Sequence, residues 1–417
     1  MRSERLDEGL YRTVLDNGVT VLSEALPRVR STAVGIWVRR SSVHEVPEQM
    51  GISHLLEHMV FKGTERRTAR DIALALESRG GSLDAFTSRD HTAYQARVLD
   101  EDLPRAVDVL TDLVRHPMLR QADLDLERRV VLEEISTVED TPDDLVFDLH
   151  ARSMWPDHPY GFSILGTRDT VGTLAAADLQ SLHRGSYHPR HVVIAAAGSL
   201  EHEALLKLLG KFGWMGFEPG PAPPAIAPVP PAWRGEQRMA RDSQQTHIVL
   251  GTDTFPYRDS RRLPLLLLTT VFGGGMSSRL FQRVREELGL AYAVFAFQSF
   301  YRETGVAGVY VGTASRTAEQ AAEVIRDEMA RLAREGLSAD EVAEAKQQVK
   351  GQVTLGLEST TARMYRLAGF PLHDQPYRTI DETLHELDAV TVGQVAEVAA
   401  EYFDPARQTA VWLGPEG

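Results

Sequence analysis

His54 and His58 stand four residues apart in Gly51-Ile-Ser-His-Leu-Leu-Glu-His-Met-Val-Phe-Lys-Gly-Thr64. On a helix that spacing puts both imidazoles on one face, one turn apart, as two ligands of one ion require. Glu57 lies beside the same face, where a carboxylate can serve hydrolysis as a general base without ligating the metal. Taken alone, the spacing fits equally well a surface helix with two solvated histidines, so context decides. A zinc hydrolase needs a third protein ligand and one open position. In Glu127-Arg-Arg-Val-Val-Leu-Glu-Glu134 the two outer carboxylates fall two turns apart on one helix face. That face is interleaved with Val130, Val131 and Leu132, the mark of a partly buried helix.

The elements around these residues alternate between strand and helix. Tyr11 to Leu26 alternates about Asp16-Asn17-Gly18, a hairpin signal. Thr32 to Arg39 is β-branched and aromatic enough for a strand. Helical spacing covers Ile52 to Lys62, which Ser53 or a neighbour could cap, and Ala69 to Arg79, ended by Gly80-Gly81. Ser82 to Val98 is strand-like, Leu103 to Arg115 and Asp123 to Val138 are helical, and His191 to Ala197 is a last strand. This pattern predicts an α+β fold with a mixed or antiparallel sheet covered by helices.

The segment Pro219 to Pro231 holds seven of the chain's 21 prolines. Such a run continues neither helix nor central strand and reads as a linker. The domain expectation is a catalytic domain over residues 1–218, a linker over 219–232 and a second domain over 233–417. The halves echo one another. MVFKGT from Met59 matches TVFGGG from Thr270 at a shift of 211, QADLDLERRVV matches SADEVAEAKQQ at 217, and Pro189 and Gly198 match Pro405 and Gly414 at 216. Three matches in order at nearly constant offset indicate two homologous domains from an internal duplication.

The chain has 417 residues, no cysteine, and 45 basic against 59 acidic residues, a formal charge of −14. Cysteine-ligated zinc, iron–sulfur clusters, disulfides and thiol catalysis are therefore excluded, and a metal must be held by histidine and carboxylate. The acidic balance argues against nucleic acid as a partner. No apolar run reaches the ~20 residues of a membrane span, and the N-terminal MRSERLDEGLYRTV lacks a signal-like apolar core, so no membrane partner and a cytoplasmic location are expected.

Taken together, the motifs resemble the pitrilysin-type zinc peptidases, the inverzincins with the HxxEH pattern, and among them the short processing-peptidase-like members. The resemblance spans about 400 residues. It rests on GISHLLEHMVFKGT, on the ERRVVLEEI helix, and on GGGMSSRLFQRVREELGLAYAV in the second half. It implies a zinc-dependent endopeptidase with one Zn²⁺ per chain, held by His54, His58 and Glu134, with Glu57 as general base and Glu127 orienting a ligand from behind. Arg285 and Tyr292 match a pair that binds the substrate backbone. GGSLDAFTSRDHTAY matches the strand beside the zinc, with Asp84 where the family commonly has Asn, a change that would favour basic substrate residues or need a basic partner such as Arg89. Carried into the second copy, His54, Glu57, His58 and Glu134 fall on Leu265, Leu268, Thr269 and Gly351, so that copy is expected to have no site.

The resemblance further implies unfolded peptide or precursor substrates and a homodimer of two-domain chains enclosing a chamber, with Arg285 and Tyr292 facing the zinc of either subunit. A non-catalytic structural subunit, like the core proteins of respiratory complexes, is the alternative; the intact His54, Glu57, His58 and Glu134 argue against it. His91, His116, His150 and His158 read as surface or hydrogen-bonded histidines, and Gly273-Gly-Gly275 as a turn, with no P-loop Lys-Ser/Thr following it.

Overall fold

The computed structural model describes residues 1–415. The described chain divides into two compact units. One comprises Met1–Ile135, Ser163–Ile226 and Leu355–Tyr377; the other comprises Ser136–Phe162, Ala227–Thr354 and the segment from Arg378 onward. From Pro219 to Arg234 the backbone forms neither helix nor strand.

The first unit is built on seven strands: β1 (Arg2–Asp7), β2 (Leu10–Val14), β3 (Thr20–Ala25), β4 (Ser31–Val38), β5 (Ser82–Thr87), β6 (Thr92–Leu99) and β7 (Val192–Gly198), in the order β1-β2-β3-β7-β4-β6-β5. Only the β3–β7 pairing is parallel. β4 is buried along nearly its whole length, because its alternate side chains enter two different cores. Val34, Ile36 and Val38 pack with Leu55, Leu56, Met59, Leu110 and Val131 from helices on one face. Ala33 and Trp37 pack with Met364, Leu367 and Ala368 on the other. Those last residues belong to the helix Thr360–Leu372, which comes from the second half of the sequence.

The second unit has five strands: β8 (Gly235–Ala240), β9 (Gln245–Thr254), β10 (Ala291–Phe300), β11 (Gly305–Ala314) and β12 (Thr409–Gly414), ordered β10-β11-β9-β12-β8. Its β8–β12 pairing is parallel and the rest are antiparallel. Strand for strand this repeats β5-β6-β4-β7-β3, with the same sense at every pairing, which is the duplication seen as topology. Here the borrowed helix is Pro142–Met154 from the first half, whose Val146 packs with Val249, Val411 and Leu413. Each sheet thus buries one face under a helix supplied by the other half of the chain. Burying each such large side chain contributes roughly 1.5–3 kcal/mol.

The expected elements are present, with one of them split in two, and the helices Pro142–Met154, Arg168–Thr173, Ala176–Ser186 and His202–Lys211 add to them. Ser82 to Val98 is not one strand but the hairpin β5–β6, turned at Ser88–His91, where the Ser88 N–H donates to His91 O at 2.9 Å. The edge strand β1 has no counterpart in the expectation, since its Arg2, Glu4, Arg5 and Asp7 give no apolar alternation. Among the described residues no helix is long and apolar enough to cross a membrane.

Candidate metal centre and active site

The helix Ile52–Val60 buries Ile52, Leu55, Leu56, Met59 and Val60 in the core below the first sheet. The 3.6-residue period then turns His54 and His58 to the opposite side, side by side. Their Nε2 atoms lie 3.2 Å apart. The helix Gln121–Glu139 is anchored by Leu124, Val131 and Ile135 and brings Glu134 to them. Its Oε2 lies 3.7 Å from His54 Nε2 and 3.6 Å from His58 Nε2. Among the described residues these three form the one cluster of metal-binding type.

The donor set fits zinc. A tetrahedral ion with bonds of ~2.0–2.1 Å spaces its ligand atoms ~3.3 Å apart, close to the edges of this triangle. Glu134 Oε2 is buried yet accepts no hydrogen bond, a state that a carboxylate tolerates poorly unless a cation completes it. Burial, and then the neighbouring His58, push His54 down to about 4, so it is neutral and ligand-ready at pH 7. The second copy supplies no equivalent: Leu265 and Leu268 are core residues there.

The imidazole of His58 is held from behind. Its Nδ1 lies 2.9 Å from Glu127 Oε1, and Glu127 also takes an ion pair from Lys62. Burial alone would raise the Glu127 carboxyl; the hydrogen bonds from His58 and Lys62 outweigh it and bring it below the usual range. His54 has no such support, its Nδ1 being buried without a partner. Glu127 thus lies between His58 and Lys62, which stands four residues after His58.

Glu57 is buried next to this triangle. Thr87 Oγ1, at the end of the edge strand β5, donates to its Oε2 at 2.6 Å. Burial raises the Glu57 carboxyl, the Thr87 hydrogen bond opposes this, and the charges of Glu134 and Asp84 add to the rise. Asp84 is exposed on the same strand, its Oδ1 accepting from the Ala85 N–H at 2.9 Å. Arg89 is buried, and its charge acts on Glu45.

Arg285 and Tyr292 belong to the second unit, where the Arg285 guanidinium lies 4.7 Å from the Phe281 ring centre and 4.5 Å from that of Tyr292. Tyr292, on the edge strand β10, is 77% exposed. Gly273 ends the helix Arg262–Gly273, and Gly275 O accepts from the Ser278 N–H at 3.0 Å, so the glycines form a turn. His150 and His158 are buried and lie within 3.2 Å of Thr409 O and Ala227 O. His91 is half-buried against Phe86, and His116 lies against Phe217.

Comparison with known proteins agrees with this geometry. Residues 20–168 match the family described as insulinase (peptidase family M16), and residues 173–349 match the peptidase M16 inactive domain. An uncharacterized zinc protease of Streptomyces coelicolor is 40% identical over 97% of this chain and 89% of its own length. The uncharacterized zinc protease YmxG of Bacillus subtilis is 38% identical over 98% and 99%. Among solved structures, a peptidase M16 inactive domain from Pseudomonas fluorescens superposes with a TM-score of 0.91 at 19% identity, covering 98% of each chain. A protease from Helicobacter pylori gives 0.89 at 20%, over 97% of this chain and 99% of its own. The chain belongs to peptidase family M16. It is a zinc endopeptidase of that family acting on bound peptides, with the catalytic motif in its first copy and the inactive domain as its second.

Proposed function

We propose that Glu57 is the general base of this peptidase, that His54, His58 and Glu134 hold its single zinc, and that Glu127 with Lys62 fixes the His58 imidazole. The observation that carries the reading is the donor triangle of 3.2, 3.6 and 3.7 Å with a buried carboxylate alongside it. Zinc at such a site supplies Lewis acidity toward a peptide carbonyl and brings the pKa of water toward ~7. Glu57 accepts the proton of the attacking water and delivers it to the leaving amine, a role that suits a carboxyl raised by burial. Metal analysis after metal-replete purification tests the ligand set: one zinc per chain in the wild type, and none retained after dialysis in His54→Ala.

The substrate extends as an added strand along the free edge of β5, with backbone hydrogen bonds supplying affinity. The negative charge of Asp84 is felt at Glu57, which supports a preference for a basic residue beside the scissile bond; Asp84→Asn reduces that preference. Arg285 and Tyr292 grip the substrate backbone. One chain carries both the metal cluster and this pair, so two identical chains suffice for a homodimeric chamber admitting unfolded peptides. A cytoplasmic location is compatible with a cysteine-free chain and is tested by cell fractionation.

A further inference from the structure

The helix that carries His54, Glu57 and His58 has no cap of its own. It opens at Gly51, whose φ is 90° and which has no side chain to accept from the first-turn N–H groups. Nor could a capping residue replace it. A Cβ at position 51 would lie 2.6 Å from Leu165 O and 2.7 Å from Gly166 Cα, and the left-handed backbone disfavours any side chain. Close packing against the Leu165–Gly166 turn thus removes the usual Ser, Thr, Asp or Asn from the place where it would act.

Glu45 fills that role from outside the helix. Its Oε2 accepts from the Gly51 N–H at 2.8 Å and its Oε1 from the Ser53 N–H at 2.9 Å. The Ser53 hydroxyl bonds the same carboxyl. Glu45 is 7% exposed, so water does not stand in for it. Its own backbone is fixed: the Glu45 N–H donates to Ser42 O at 3.0 Å, and Val43 N–H to Arg89 O at 2.9 Å. Burial pushes the Glu45 carboxyl up to about 7, opposed by the hydrogen bonds from Gly51 and Ser53 and by the charge of Arg89, itself buried. In its ionised form the group also interacts favourably with the helix dipole.

We infer that Glu45, backed by Arg89, is a positioning residue for the metal centre: it sets the N-terminus, and so the rotation and rise, of the helix presenting His54, Glu57 and His58. This rests on the metal reading of His54, His58 and Glu134. His54 is the residue after Ser53 and its imidazole has no hydrogen bond holding it from behind, so the helix frame is what aims it. Loss of the cap frays the first turn, and His54 leaves the triangle before His58 does.

The test uses Glu45→Gln, nearly isosteric, and Glu45→Ala, each checked for native folding by circular dichroism. Three readouts are taken: Co²⁺ affinity by chelator competition, the Co²⁺ visible spectrum, and hydrogen exchange of the Ile52–Val60 segment in metal-free protein. Gln keeps one acceptor but turns an NH₂ toward the second N–H. Glu45→Gln is expected to bind Co²⁺ about tenfold more weakly, by analogy with residues supporting a metal ligand, with an altered spectrum and faster exchange in the first turn. The kcat for peptide cleavage falls while KM holds, because the substrate docks on β5. Glu45→Ala shows the same with larger amplitude; if it does not fold, Glu45→Gln decides. A Glu45→Gln protein with Co²⁺ affinity, spectrum and exchange within twofold of the wild type overturns the inference. Failure of the wild type itself to bind Co²⁺ overturns instead the metal reading beneath it.

Discussion

Thr87 Oγ1 donates a 2.6 Å hydrogen bond to Oε2 of Glu57, so the last residue of the edge strand β5 holds the carboxylate assigned as general base. Strand and helix meet there in a short contact, which would link the surface proposed to receive substrate to the group proposed to move the proton. Removing it should affect chemistry more than folding. Thr87→Val, similar in volume, deletes only the donor. A hydrogen bond to a charged group contributes about 1.5–3 kcal/mol, so kcat/KM for an unstructured peptide should fall roughly 10- to 100-fold. Steady-state kinetics with a thermal melt checks this; unchanged kinetics would remove Thr87 from the site.

Glu127 predicts a metal-affinity effect. It accepts from both His58 and Lys62 while buried. Glu127→Gln leaves its shape but weakens both contacts, and zinc affinity should drop about 10- to 100-fold. Lys62→Met should reproduce part of that loss, since it acts only through Glu127. Competition with a calibrated chelator measures both. A Lys62→Met protein weaker than Glu127→Gln contradicts the chain of contacts.

Acid should destabilise the protein through its buried histidines. Burial pushes His150 and His183 down to about 4, with their Nε2 atoms 3.2 Å from Thr409 O and 2.8 Å from Val114 O. Their folded values lie below the ordinary 6.5, so between these limits the unfolded chain binds more protons. The stability they contribute is present above pH 6.5 and lost as pH falls toward 4. Each is worth on the order of 1–3 kcal/mol at most. Urea unfolding of metal-free protein at pH 7 and pH 5 should show the loss, and His183→Gln should lessen it. Equal midpoints at the two pH values contradict the assignment.

Sharing of the site between subunits is open to complementation. An inactive Glu57→Gln chain mixed with an inactive Arg285→Ala/Tyr292→Ala chain should recover activity, up to about a quarter to a half of wild type, if each pair serves its partner's zinc. Isolated heterodimers without activity show that the pair acts within its own chain.

How much of this was readable in the residues depends on how local each relationship is. His54, Glu57 and His58 share one helical turn, so spacing puts them on or beside one face, whereas Glu134 is singled out from the other carboxylates of its helix only by the family resemblance. Thr87 and Lys62 are invisible to such reasoning, because their partners lie 30 and 65 residues away. Glu45 is hidden for a related reason: a cap is normally sought at the helix start, and here close packing at Gly51 moves it upstream. The break between β5 and β6 escapes because Ser88-Arg89-Asp90-His91 contains neither Gly nor Pro. The two helices exchanged between halves carry ordinary apolar faces, and an apolar face does not say which sheet it covers.

The proposed role of Glu57 is to move the proton at a zinc held by His54, His58 and Glu134. It is tested most directly by measuring zinc content and cleavage of an unstructured peptide for the wild type and Glu57→Gln side by side. Both proteins should hold one zinc per chain, and the variant should lose at least ~10³-fold in kcat, in keeping with loss of a general base. Zinc in both with equal cleavage contradicts the role of Glu57, and a metal-replete wild type without stoichiometric zinc contradicts the site.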